Sequence, residues 1–266
     1  MRIGIVGANG FIGKYLTNRY VTAGHDVDAV TRQSFDIEYY YAVDSWLKNR
    51  NLDIVINCAV VGGGPSVAQV NNSTVRTNLN VFQNFYNSKH IKRYINIGSG
   101  AEFDKKENLI CTHEDTIFTA VPEDSYGYSK NVIARMCRQR EEFYTLRLFG
   151  CFHHTESDQR MLKKVSKHVD EDWIIEDKYF DMFGLEDFAR VVDYYLSAGS
   201  VKDVNCVYRD KSKLYDVVTS FTKYHNIDAK IVLGPPGLSY SGNGAELENL
   251  NLNLLGLETS IERYYD

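Results

Sequence analysis

The stretch Ile3-Gly4-Ile5-Val6-Gly7-Ala8-Asn9-Gly10-Phe11-Ile12-Gly13 decides how this chain is read. A short apolar run leads into glycines at 7, 10 and 13, and an amphipathic segment follows from Lys14 to Val21. That order predicts a buried strand, a tight turn and a helix N-terminus. Glycines let the backbone turn sharply and come close to a ligand, while free first-turn N–H groups and the helix dipole favour an anion. A dinucleotide pyrophosphate fits, although the spacing is G-x-x-G-x-x-G and the usual fingerprint is G-x-G-x-x-G. The plainer alternative is a glycine-rich turn that only packs a helix on a sheet. Its place directly after a strand favours the dinucleotide, with Gly7, Asn9, Gly10, Phe11, Ile12 and Gly13 as contacts.

Outward from the glycines, Asp26–Val30 reads as a second strand, ending at Thr31-Arg32-Gln33. Dinucleotide folds read the adenosine ribose there: an acid binds a free 2′-hydroxyl, and an arginine accommodates a 2′-phosphate. Arg32 therefore points to NADP(H) over NAD(H). A solvated surface arginine is the alternative, and Asp28 becomes the ribose acid if the boundary lies several residues away. Phe35-Asp36-Ile37 reads as a short extended piece, Tyr40 to Asn49 as a helix, and Leu52 to Ala59 as a strand buried on both faces. The loop Gly62-Gly63-Gly64-Pro65 follows, where ligands bind in open parallel sheets. A helix from Asn78 to His90 and a strand from Arg93 to Ile97 come next, running into Ser99-Gly100-Ala101. Alternation at this pace predicts an α/β fold with a doubly wound parallel sheet.

Tyr126-Gly127-Tyr128-Ser129-Lys130 opens a helix reaching about Glu142. Tyr126, Lys130, Ile133 and Cys137 share one stripe, so two polar groups face inward, and a ligand site would account for them. With 19 tyrosines in the chain, about one Y-x-x-x-K arises from composition alone. The value of this one lies in its context, downstream of Ser99 and the glycine turn. Thr145 to Gly150 reads as a further strand, Arg160 to His168 as a basic helix, Leu185 to Leu196 as a helix and Val204 to Tyr208 as a late strand. The stretches Gly234-Pro235-Pro236-Gly237 and Ser241-Gly242-Asn243-Gly244 read as irregular.

Composition sets outer bounds. The chain has 266 residues, 44% apolar and 24% charged, which suits a globular protein with a full core. A net charge of −5 gives no support to nucleic-acid or acidic-membrane binding, and no apolar run is long enough to span a bilayer. Five scattered cysteines without C-x-x-C imply reduced thiols in a cytoplasmic setting and no structural metal.

Taken together, these residues resemble the extended short-chain dehydrogenase/reductase family, part of the NAD-dependent epimerase/dehydratase superfamily. The marks are Gly7/Gly10/Gly13, Asp36-Ile37, Asp53 through Ala59, Asn78, Ser99, Tyr126 with Lys130, and Asp181 to Asp187. The most similar branch is the nucleotide-sugar 4-keto reductases, such as those forming dTDP-rhamnose and GDP-fucose. The resemblance implies a Rossmann-type core over 1–152, rejoined by 181–208, with a substrate-binding lobe from 153–180 and 209–266. It also implies that Asp36, Ile37, Cys58, Ala59, Val60 and Asn78 join the cofactor site, and that the chain forms a homodimer.

By the same resemblance, Ser99, Tyr126 and Lys130 are catalytic. Tyr126 would protonate a C4 ketone as a nicotinamide delivers hydride, Lys130 would stabilise the phenolate and hold the nicotinamide ribose, and Ser99 would orient the carbonyl. Sugar 4,6-dehydratases carry an Asp-Glu pair where this chain has Gly100 and Ala101, and epimerising reductases carry a cysteine at the second place. Reduction of a nucleotide sugar is therefore the expected reaction. A 4-epimerase retaining NAD and a non-catalytic dinucleotide sensor are the alternatives. Gly100, Ala101, His153, His154 and Arg160 are the expected substrate contacts beside Ser99; an exposed loop pair and a solvated helix face are the plainer readings for the last three.

Overall fold

The structure, a computed structural model, describes residues 1–63 and 72–266. The opening apolar run forms β1 (Arg2–Val6), followed by α1 (Phe11–Thr22), β2 (Asp26–Val30), α2 (Tyr40–Arg50) and β3 (Ile54–Asn57). Next come α3 (Asn72–Tyr86), β4 (Tyr94–Ser99), β5 (Leu109–Thr112), α4 (Ser125–Cys137) and β6 (Phe143–Leu148). Then β7 (Gly150–Phe152), α5 (Met161–Lys167), β8 (Asp172–Asp177), β9 (Met182–Gly184), α6 (Leu185–Ser197) and β10 (Asp203–Cys206) lead to the C-terminal part. That part holds α7 (Leu214–Tyr224), β11 (Lys230–Pro236), β12 (Tyr240–Gly242), α8 (Ala245–Asn249) and α9 (Leu257–Glu262).

Six parallel strands form the central sheet in the order β10-β6-β4-β3-β1-β2. Period-two alternation divides their side chains between two cores. Ile3, Ile5, Ile54, Ile56, Ile95 and Ile97 face α1 and α6, while Val6, Val55 and Tyr94 face α2, α3 and α4. The winding reverses between β1 and β3, so the crevice beyond their C-terminal ends is where such a fold takes a ligand. A third apolar cluster, with Phe152, Leu162, Ile175, Val218 and Phe221, holds α5, α7 and the β8–β11 pair together. The C-terminal part does not stay apart from the core: Leu247 of α8 packs with the α1/α6 side.

Several sequence expectations need correction. Phe35-Asp36-Ile37 lies in turns and leaves β2 as the sheet edge, because its backbone bonds locally: the Asp36 carbonyl accepts from Tyr39 N, and its carboxylate from Glu38 N (2.9 Å). Helix α3 begins at Asn72, so Asn78 sits inside it. Helix α4 stops at Cys137, five residues short of Glu142, in turns that return Phe143 to the sheet. The Gly-Pro-Pro-Gly stretch, read as irregular, carries the end of β11. Prolines are tolerated there because β11 pairs with β8 alone. Ser241 and Gly242 belong to β12, and Gly64 and Pro65 lie outside the described residues.

Candidate active site

At the end of β1 the chain turns through Gly7, whose φ of +80° suits glycine. Gly7 N and Ala8 N donate to the Val30 carbonyl (3.0 and 3.1 Å), and Gly10 N closes the turn on Gly7 O (2.9 Å). A Cβ on Gly7 would come within 2.8 Å of Ala59 N, so β1 and the loop after β3 meet only because it is absent. Gly10 caps α1 with no side-chain bond, and no acid occupies the first turn. The first N–H groups of α1 are thus left for a ligand anion.

The glycine turn opens onto a cleft of about 660 Å³. Gly7, Asn9 and Gly10 line it at the turn, Arg32, Asp36 and Ile37 beyond β2, and Cys58, Ala59 and Val60 beyond β3. Asn78 and Lys130 line the remaining wall. The side chains of Phe11 and Ile12 and the backbone of Gly13 do not line it. Phe11 lies under the Arg160 guanidinium (5.7 Å), Ile12 packs on the core, and Gly13 presses on Gly7 O where a Cβ would collide. Asp28 faces elsewhere, accepting from Trp46 Nε1 (2.8 Å) and pairing with Arg50 (2.7 Å). Arg32 is exposed and, among the described residues, forms no ion pair. Asn57, Thr77 and Asn96 also line the cleft and were missed. Asn57 ends β3 and Asn96 lies within β4, and a polar residue in an apolar strand is the signal that could have found them.

Ser99 closes β4 and caps the short turn Gly100–Phe103. Its Oγ accepts from Ala101 N (3.2 Å), and Glu102 Oε1 accepts from Ser99 N (2.8 Å), a reciprocal capping box. Tyr126 and Lys130 occupy successive turns of α4, and Lys130 Nζ, buried, donates to Ile97 O (2.7 Å). Asn78 fastens these parts together: it holds both Val61 N (2.9 Å) and Val61 O (3.0 Å), and donates to Ser129 Oγ (3.0 Å). Ser129 in turn donates to Tyr126 O (2.8 Å). Gly62 and Gly63 then pass over the Tyr126 ring without a side chain to clash with it.

Burial pushes the Tyr126 phenol up to about 12, against the pull of the Ser99 hydroxyl, so it carries its proton at neutral pH. Burial draws the Lys130 ammonium below its usual range, and the Glu102 carboxylate opposes that shift. Beneath the site lies a charge in the middle of an apolar strand. Arg147 of β6, fully buried, binds Glu102 Oε2 (2.5 Å), Asp203 Oδ1 (2.7 Å) and Asn205 Oδ1 (2.9 Å), with its guanidinium 4.6 Å from the Phe103 ring. The lone charge in Thr145-Leu146-Arg147-Leu148 was the signal for it.

The expected substrate contacts divide. Gly100 is buried where a Cβ would collide with the Phe149 ring, and Ala101 is buried with its carbonyl against Gly127, so both serve packing rather than an open surface. His153 and His154, their rings tilted with centroids 4.2 Å apart, line a separate recess of about 340 Å³ beside Tyr15 and Tyr264, away from the main cleft. Arg160 is committed to Glu156 (3.0 Å) and Cys151 O (2.6 Å), yet its charge still reaches Tyr126. Tyr240 of β12 was not singled out at all. Its ring lies between Phe149 (centroids 4.9 Å) and Phe180 (5.5 Å), and burial pushes its phenol above the usual range.

The model of the NAD dependent epimerase/dehydratase family matches residues 3–204. The chain belongs to that family. Among curated proteins it is similar to GDP-mannose 3,5-epimerase 1 of Oryza sativa, 28% identical over 175 residues, covering 58% of this chain and 46% of that protein. The chain spans about half the length of the curated relatives it matches. Among solved structures, a dTDP-4-dehydrorhamnose reductase from Clostridium acetobutylicum superposes with a TM-score of 0.82 at 18% identity, covering 99% of this chain and 98% of that one. A GDP-mannoheptose C4 reductase from Campylobacter jejuni with NADP bound gives 0.82 at 17%, covering 99% and 97%. At these identities the family's fold is common to all three. No helix among the described residues is long and apolar enough to cross a membrane.

Proposed function

We propose that the chain is an NADPH-dependent reductase of a nucleotide-linked 4-keto sugar. One observation supports the reading: the same cleft is lined by Arg32, exposed and without an ion pair among the described residues, and by Lys130, which shares helix α4 with Tyr126. A dinucleotide fits this cleft because glycine carbons are missing where backbone must crowd, and the α1 N-terminus has neither cap nor acid. Gly7, Asn9 and Gly10 would hold the pyrophosphate, Arg32 the 2′-phosphate, Asp36 and Ile37 the adenine side, and Cys58 to Val60 the middle. Reductases with NADP or NADPH bound among the structural neighbours support the preference, although other neighbours hold NAD.

When bound, the nicotinamide supplies a hydride for the C4 carbon. Tyr126, protonated at neutral pH, gives its proton to the C4 oxygen as that oxygen gains charge. Lys130 places a cation one helical turn away, where it stabilises the phenolate left behind. Ser99, fixed by the capping box, presents a hydroxyl to the same oxygen. Ala101 is buried and has no group that moves a proton, which weighs against dehydration or cysteine-assisted epimerisation. The similarity to GDP-mannose 3,5-epimerases favours an epimerase as the second reading. We also read α3 and α4 as the faces of a homodimer, and residues 153–180 and 209–266 as the lobe that selects the sugar.

The deciding experiment is thermal unfolding against NADPH and NADH, followed by turnover of 4-keto nucleotide sugars by the wild type and by Tyr126→Phe. A nucleotide at 100 times its dissociation constant stabilises by about 2.7 kcal/mol. Stabilisation by NADPH above NADH, with turnover lost in the variant, supports the reductase. NAD retained through purification supports the epimerase, and indifference to both nucleotides removes both.

A further inference from the structure

We propose that Glu102 is a positioning residue of this site, setting the direction of the Ser99 hydroxyl; the inference rests on the reading of Ser99 as the group that orients the C4 oxygen. Glu102 is fully buried and does not line the cleft, so any effect it has on a bound ligand passes through a neighbour. Its two carboxylate oxygens have separate partners. Oε1 accepts from Ser99 N (2.8 Å), and Oε2 accepts from Arg147 Nε (2.5 Å). Arg147 is itself fixed by Asp203 Oδ1 (2.7 Å) and Asn205 Oδ1 (2.9 Å), so the carboxylate is anchored from behind. Bare backbone makes room for it: a Cβ on Gly98 would stand 2.8 Å from Glu102 Oε1.

The backbone of Glu102 meets the other half of the site. Its carbonyl accepts from Asn131 Nδ2 (2.8 Å), which also donates to Ile117 O (3.0 Å), and Asn131 follows Lys130 on α4. One residue thus fastens the end of β4 to the helix that carries Tyr126 and Lys130. Ser99 is held at two points, its N–H by Glu102 and its Oγ by Ala101 N (3.2 Å). The Oγ bond uses an acceptor site only, which leaves the hydroxyl proton to be given to an oxygen in the site. Without the carboxylate the reciprocal cap becomes a single bond, and the Ser99 side chain samples other rotamers. No proton moves through Glu102; it fixes a direction.

The test separates position from stability by working in the Arg147→Met background, where a neutral side chain at 102 no longer leaves a buried charge unpaired. Asp203 keeps Arg138 there (3.0 Å). Glu102→Gln retains an acceptor for Ser99 N and Glu102→Met does not, and both double variants should melt above Arg147→Met alone. The Met variant should turn over about tenfold more slowly than the Gln variant, as for one lost hydrogen bond, with KM for the sugar nucleotide little changed. Adding Ser99→Ala should abolish that difference, since a residue acting through Ser99 has nothing left to position. Equal kcat for Gln and Met, or a difference that survives Ser99→Ala, would overturn the proposal. If the wild type reduces no 4-keto sugar, the reductase reading fails and Glu102 is judged by NMR instead. The Ser99 Hα–Hβ couplings should then report one rotamer in the Gln variant and an average in the Met variant, and identical couplings would sink the inference.

Discussion

Replacing Arg147 by methionine removes a fully buried guanidinium and leaves apolar volume in its place. Glu102 then has no cation in contact, and Asp203 keeps Arg138 alone (3.0 Å). Breaking a buried pair from one side costs roughly 3–5 kcal/mol, and each kcal/mol moves the midpoint of a chain this size by roughly 2–4 °C. The melting temperature at neutral pH should therefore fall by about 6–20 °C. The pH dependence gives the cause. Burial already holds the Glu102 carboxyl above its ordinary range against the pull of Arg147, and losing the guanidinium raises it further. A carboxyl raised in the folded state takes up its proton before the unfolded chain does, so acidification through that raised value stabilises the fold. Melting followed by circular dichroism should show the gap to wild type widest near neutrality and narrowing as pH falls toward that value. Midpoints within about 2 °C at neutral pH, or a gap that widens on acidification, would refute this account of the buried cluster.

Three further outcomes are expected. Arg32→Ala should weaken NADPH binding by roughly 5- to 30-fold in calorimetric titration, since an exposed charge-assisted contact contributes roughly 1–2 kcal/mol. NADH binding should hardly change, and equal losses for both would take Arg32 away from the 2′-phosphate. Asn78→Leu should cost about 1–3 kcal/mol and speed hydrogen exchange at the Val61 amide, which loses its acceptor. Unchanged exchange would mean that Val61 is held by something else. Burial pulls the His153 imidazole down to about 4, with the neighbouring His154 adding to the shift. Its ring signals in NMR should stay those of the neutral form until that pH, and its share of stability should be lost as pH falls from the unfolded value toward it; a midpoint near ~6.5 would contradict the recess.

Much of the cleft lining was legible because its signals are local. The run into Gly7, the place of Arg32 after β2 and the apolar residues before Cys58 are each set by neighbours within a few positions. The proposed catalytic pair was legible through helical periodicity, which put Tyr126 and Lys130 on one stripe of α4. What escaped depends on distant pairing. Strand β12 exists because Tyr240 meets Leu109 of β5, and β11 because Lys230 meets Asp172 of β8. No periodicity in Lys230–Pro236 announces that. The same reason hid Tyr240 and the Phe149 ring against which Gly100 packs.

Phe149 has a consequence for how the molecule comes together. Its ring meets bare glycine backbone on two sides, Gly100 from the core and Gly242 from the penultimate part of the chain, and Tyr240 leans on its face. A refolding chain that has closed its six-stranded sheet but not yet seated β12 already owns the cleft proposed for the nucleotide, while Phe149 still lacks its cover on the Gly242 side. Recovery of nucleotide binding should then run ahead of recovery of turnover, and the interval between them times the docking of one aromatic ring between two glycines.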